Sequence, residues 1–224
     1  MTTTLIPATP VPAKTEAMSW EDFGVAIKSA VEAEEARLLA EFPTPPFTTE
    51  HGSDGWMKEW SAQRDAGYKR DELQSAFNAK LVAAVAEALA DAVPNFEAFR
   101  VEYSGSGDSG EDCVLCVDIK REPPTHEVIP YEGAKPRFSY TNEENQAWLQ
   151  AEKDALALLP RDLSEWIDET CWALAYQQHP GFEIDGGGFG NITASRNAAG
   201  EMKLVITHTN RIEDFEEFQP QELG

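Results

Sequence analysis

The chain has 224 residues, 40 of them acidic and 18 basic, for a formal net charge of −22. That length supports one sizeable core or two small packed domains, and a 42% hydrophobic share with six tryptophans and eleven phenylalanines is too apolar for wholesale disorder. So negative a field repels nucleic acid and anionic lipid and attracts basic surfaces, which argues against direct binding to DNA, RNA or a membrane.

Three cysteines, Cys113, Cys116 and Cys171, have no framework spacing and fit a reducing compartment. Met1 to Lys14 is broken by Pro7, Pro10 and Pro12 and lacks the basic start and compact apolar run of a signal peptide. No stretch approaches the 18 apolar residues of a membrane span, so a cytoplasmic protein is expected.

In chain order, residues 1–17 read as a mobile tail and 18–94 as a helical region. Ser19 and Asp22 mark a helix start. Phe23, Ile27, Ala30, Val31 and Leu38 form its apolar face, Glu32, Glu34 and Glu35 the opposite one, and Pro43, Pro45 and Pro46 end it. Phe47 to Lys69 reads as a linker, with Trp56 and Trp60 spaced as on a short helix. Burial of both tryptophans is the expectation; exposed, they would anchor a partner. Asp71 is expected to cap a second helix running to about Ala92, with Leu73, Phe77, Leu81, Val85 and Leu89 as its stripe.

Residues 95–209 read as an α+β core with two hairpins. In the first, Phe99, Val101 and Tyr103 alternate, as do Cys113, Leu115, Val117 and Ile119, the period of half-buried strands. A glycine-punctuated turn, Ser104 to Gly110, joins them. An extra edge strand is expected around Val128 and Ile129. Thr141 and Glu144 form a capping box for a helix presenting Trp148, Ala151, Ala155 and Leu158. Asp162 is expected to cap the next, striped by Leu163, Trp166, Ile167, Thr170, Cys171 and Leu174. Phe189 to Arg196 and Glu201 to His208 flank the turn Asn197 to Gly200. Residues 210–224 form an acidic tail, either a short helix docked by Phe215 and Phe218 or a flexible arm.

Two places concentrate acid and glycine. Asp108, Glu111 and Asp112 sit beside Gly105, Gly107 and Gly110, and Asp185 precedes Gly186, Gly187, Gly188 and Gly190. Hard divalent cations take several oxygen ligands, so Asp108, Glu111, Asp112 and Asp185 are metal ligands in an alternative reading, with His179 as an acid–base partner. Neither string is a twelve-position calcium loop, and Asp185 to Gly190 lacks the strand-then-helix setting of a nucleotide fingerprint. Gly107-Asp108-Ser109-Gly110 is too short to mark a protease, and Cys113 and Cys116 face opposite sides of a strand, unsuited to one zinc ion.

The distribution of acid carries the leading expectation. From Asp162 to Ser195 no lysine or arginine occurs, while Asp162, Glu165, Asp168 and Glu169 crowd one helix. With Glu32, Glu34, Glu35 and the tail residues Glu213, Asp214, Glu216 and Glu217, they are expected to form one extended negative face, with Trp56 and Trp60 as anchors.

The string Tyr103, Gly105, Gly107, Asp108, Ser109 and Gly110, followed by Asp185, Gly186, Gly187 and Gly190, resembles an uncharacterised family of small acidic proteins found in bacteria, on plasmids and in phages. The likeness covers roughly residues 97–218 and implies no activity. Its mobile-element setting is similar to that of acidic DNA mimics that inhibit host defence.

The expected fold is α+β, a mainly antiparallel sheet of four to five strands with about four helices. The expected function is non-enzymatic: an acidic inhibitor or regulator that occludes a basic, nucleic-acid-binding surface of a partner protein and needs no cofactor. The alternative is a divalent-metal-dependent enzyme or metal-binding protein using the glycine-rich loops.

Overall fold

Ser53, not Asp71, starts the second helix. The structure is a computed structural model that describes residues 7–106, 109–128, 135, 137–181, 187–210, 216–217 and 221–223. Helix α1 (Trp20–Glu41) opens on Ser19, whose hydroxyl accepts from the Asp22 backbone N–H. Helix α2 (Asp54–Ala92) then runs 39 residues without a break, capped by Ser53 through the Trp56 N–H. The expected linker is therefore helical from Asp54, and Asp71 lies mid-helix. Residues 7–17 have no regular structure but are tied at two points. Thr9 lies beside the Glu34 carboxylate, and the Lys14 ammonium sits 4.9 Å from the Trp20 ring centroid.

After Asn95, which takes a positive φ of 58°, strand β1 (Phe96–Ser106) pairs antiparallel with β2 (Ser109–Ile119). Ser106 faces Ser109, so the ladder continues through most of the expected seven-residue turn and leaves two residues to join the strands. Val128 falls in a short strand β3 (His126–Val128) that pairs only with β4 (Arg137–Ser139). This is a separate two-stranded ribbon rather than an added edge of the main sheet, and Ile129 lies outside the described residues.

The capping box of Thr141 and Glu144 opens α3 (Asn142–Leu156). Helix α4 (Arg161–Gln178) has Pro160 at its N-cap and no side-chain cap, so Asp162 lies within the first turn instead of before it. Its carboxylate still favours the positive end of the helix dipole. Strands β5 (Gly188–Arg196) and β6 (Met202–Asn210) form the second hairpin. Asn197 Oδ1 accepts from the Ala199 and Glu201 N–H groups in its turn, and Gly200 takes φ 82°. The tail is neither a helix nor an arm where it is described. Strands β7 (Glu216–Glu217) and β8 (Gln221–Leu223) both pair with β6.

The main sheet has the order β2-β1-β5-β6-β7, with β8 also on β6, and every pairing is antiparallel. With four helices, this is the α+β architecture expected. Phe99, Val101, Ile192, Ala194, Leu204 and Ile206 are buried on one sheet face. There they meet Phe77, Leu81, Val85 and Leu89 of α2 and Leu163, Ile167, Cys171 and Leu174 of α4 in one core. Fully burying each large apolar side chain contributes about 1.5–3 kcal/mol. Helix α1 adds Phe23 and Ile27 from the far side of α2 and α4. Cys113 packs toward this core, while Cys116 stands on the other sheet face beside Arg100. No helix among the described residues is long and apolar enough to cross a membrane.

Edge strand β2 is guarded by α3. Trp148 Nε1 donates to the Ile119 carbonyl at 3.0 Å, and the Glu152 carboxylate lies beside the Ile119 backbone. Two side chains one helical turn apart thus cover the backbone of an edge residue and one of them occupies its carbonyl, which blunts edge-to-edge association.

Candidate functional site

Glu21, Val25, Lys28, Glu32, Glu35 and Leu39 recur every three or four residues and therefore share one stripe of α1. The stripe borders two grooves. Near the helix start, Glu21, Val25 and Lys28 face Asp162, Glu165, Trp166 and Glu169 of α4 across a groove of about 520 Å3. Toward its end, Glu32, Glu35 and Leu39 face Arg70, Asp71 and Gln74 of α2 across a groove of about 460 Å3. Between the carboxylates lie apolar surfaces normally hidden from water, with Val25 65% and Leu39 55% exposed. Among the lining cations, Arg161 is paired with Glu165 at 2.7 Å and Arg70 donates to the Phe42 carbonyl.

The expected negative face is therefore assembled in part. Glu32, Glu35, Asp162, Glu165 and Glu169 belong to the grooves, while Glu34 and Asp168 do not. Glu34 is 4% exposed, because its position falls on the packed side of α1 with Ile27, Ala30 and Leu38. It holds Arg37 through two 2.7 Å contacts. Hydrogen bonds from Arg37 lower its pKa against the opposing effect of burial. Asp168 does not line the groove. Its Oδ1 is buried with no hydrogen-bond partner. Glu216 and Glu217 form β7 opposite Asn210 and Thr209, and Glu213 and Asp214 lie outside the described residues. Neither tryptophan enters the core. Trp56 is half-buried, stacked on Phe47 at 5.6 Å and tilted on His51, and Trp60 is 40% exposed. Glu21, Val25 and Leu39 were missed in the sequence because their three-to-four spacing opposes the apolar stripe and so marks solvent in an isolated helix.

The second constellation lies where the two glycine-rich strings meet. β1 and β5 pair so that Gly105 faces Gly188 and Tyr103 faces Gly190. The Tyr103 hydroxyl is 3.1 Å from both the Thr207 carbonyl and His208 Nδ1. His208 Nε2 is 2.8 Å from Asn210 Oδ1, and the His179 ring stacks on His208 at 4.0 Å and 11°. Glycine is required beneath this group. A Cβ at Gly188 would stand 2.7 Å from His208 Cε1, and one at Gly190 would stand 2.6 Å from the Tyr103 oxygen and closer still to the Thr207 carbonyl.

Burial pushes the His208 pKa down, with Asn210 opposing, and burial together with His208 pushes His179 down. Burial raises the Tyr103 phenol. In the neutral His208 ring, Nε2–H donates to Asn210 and Nδ1 accepts from Tyr103. The cluster thus joins β1, β6 and the end of α4. Asp108 and Asp185 lie outside the described residues, as do the side chains of Glu111 and Asp112. Among the described residues, no group of three or more His, Cys, Asp or Glu side chains is placed to hold a metal ion.

The chain matches no protein-family model, no curated protein and no solved structure.

Proposed function

We propose that this is a non-enzymatic binding protein whose two-part acidic groove along α1 engages a basic surface of a partner protein and occludes it. One observation carries this. Carboxylates of α1, α2 and α4 face one another across grooves in which Val25, Leu39 and Trp166 are offered between the charges. Isolated surface carboxylates contribute little to a stable contact, whereas charge bordering apolar surface suits an amphipathic basic segment, with steering by the −22 field.

The partner surface we infer is one that otherwise grips nucleic-acid phosphates, whose place the carboxylates take. This would make the protein an inhibitor or regulator of the DNA-mimic kind, directed at a host defence or regulatory protein. Lys28 and Arg161 interrupt the acidic row, so mimicry rests on local carboxylate groups and not on an evenly charged rod.

The test is retention of partners from a host lysate on the tagged protein, at low and moderate salt, with mass spectrometry and displacement by added DNA. A basic nucleic-acid-binding protein should be retained, be displaced by DNA and weaken as salt rises. The triple variant Glu21→Gln, Glu165→Gln, Glu169→Gln should lose it. Equal retention by the variant would overturn the groove as the contact.

One observation favours a second reading, a metal-binding protein or metal-dependent enzyme built on the glycine-rich loops. The strands leading into both loops are neighbours, with Gly105 opposite Gly188. Calorimetric titration with Mg2+, Mn2+ and Ca2+ separates the two readings. Stoichiometric binding lost in Asp108→Asn or Asp185→Asn would support the second.

A further inference from the structure

The first half of α2 stands apart from the core. Its buried residues begin at Phe77, so the 18 residues from Asp54 to Asp71, about 27 Å of helix at 1.5 Å per residue, have another role. One side is covered by residues 42–50. Glu59 accepts from the hydroxyl and backbone N–H groups of Thr48 and Thr49, Gln63 donates to the Pro45 carbonyl, and Phe47 stacks on Trp56.

The other side bears Met57, Trp60 and Tyr68, which are 50%, 40% and 65% exposed. The Arg64 guanidinium lies between the two aromatic rings, 4.9 Å and 5.9 Å from their centroids. Positions 57, 60, 64, 68 and 71 follow the three-to-four spacing of a helix–helix seam. At Gly67, beside that seam, an added Cβ would meet nothing within 4 Å, so another backbone can approach closely.

We propose that this face binds the same face of a second copy of the chain. Charge selects that occupant. Residues 42–72 carry six acidic and four basic residues, a net of −2, whereas the whole chain carries −22. Two copies repel one another over most of their surfaces but are nearly neutral to each other here. A strongly basic partner gains more at the grooves along α1. An antiparallel pairing centred on Arg64 sets Trp60 against Tyr68 and Met57 against Asp71. Two helix faces of this length cover less than the roughly 800 Å2 per partner of a standard stable complex, so the association is weak and concentration-dependent.

Sedimentation equilibrium of the full chain from about 10 to 500 μM, at low and moderate salt, tests this. The mass should rise from 24.8 kDa toward twice that value. The rise should be larger at moderate salt, because screening removes repulsion between the two acidic bodies; contact with a basic partner has the opposite salt dependence. The double variant Trp60→Ala, Tyr68→Ala changes only exposed side chains, and circular dichroism checks that it stays folded. It should remain at 24.8 kDa throughout. A wild-type chain that stays monomeric over the whole range, or a folded double variant that associates as the wild type does, would overturn the proposal.

Discussion

The Tyr103 hydroxyl reaches His208 Nδ1 at 3.1 Å across 105 residues of sequence. The contact exists because β1 and β6 both border β5, and because β5 presents Gly190 between the two rings. Its single proton serves both Nδ1 and the Thr207 carbonyl while the ring is neutral.

Two glycine-to-alanine changes should have opposite signs. Gly190→Ala drives a methyl into the Tyr103 hydroxyl and the Thr207 backbone and should destabilise by about 3 kcal/mol or more, at or beyond the upper end for overpacked cores. Gly67→Ala lies mid-helix in open space and should stabilise by up to about 1 kcal/mol. Urea midpoints measure both. A Gly190→Ala midpoint equal to wild type would show that the strand relaxes freely there.

Stability should fall as pH drops below about 6.5, the ordinary histidine value. Burial holds His208 below that value, and burial together with His208 does the same for His179. The unfolded chain therefore takes up protons first as pH falls. The stability these rings contribute is complete above 6.5 and is lost between there and their folded-state pKa values. Melting temperatures from pH 8 to 5 should show the drop, and His179→Gln should flatten it. An unchanged slope in that variant would remove His179 from the account.

Arg37→Ala should cost about 1.5–3 kcal/mol, the range for hydrogen bonds to a charged group, because it strands the buried Glu34 carboxylate. The double change with Glu34→Gln should recover part of this loss. Strict additivity in the double-mutant cycle would contradict a coupled pair.

Trp148→Phe keeps a ring beneath the Arg121 guanidinium, which lies 3.5 Å from the Trp148 centroid, but removes the donor to Ile119. The expected loss is about 1 kcal/mol, with more aggregation because the β2 edge is opened. Light scattering at matched concentration reads the second effect.

Local signals carried far in this sequence. Ser19, the capping box of Thr141 and Glu144, and the alternation of Phe99, Val101 and Tyr103 each specify structure through atoms a few residues apart. Where the local signal was absent, the expectation failed. Residues 54–69 carry no core-facing stripe, because that half of α2 packs on residues 42–50 and not on the sheet, and so they read as a linker. Glu34 resembled its neighbours Glu32 and Glu35 in type, and only its angular position, one step around α1, put it against Arg37.

The sequence by itself determined the negative charge, the α+β class, both hairpins and most helix ends, since composition and short-range hydrogen bonding decide these. Tertiary structure alone decided which acids share a groove, that Trp56 and Trp60 stay out of the core, and that the two glycine-rich strings adjoin. Those outcomes depend on strand pairings and helix contacts between residues up to a hundred positions apart, and no local pattern encodes them.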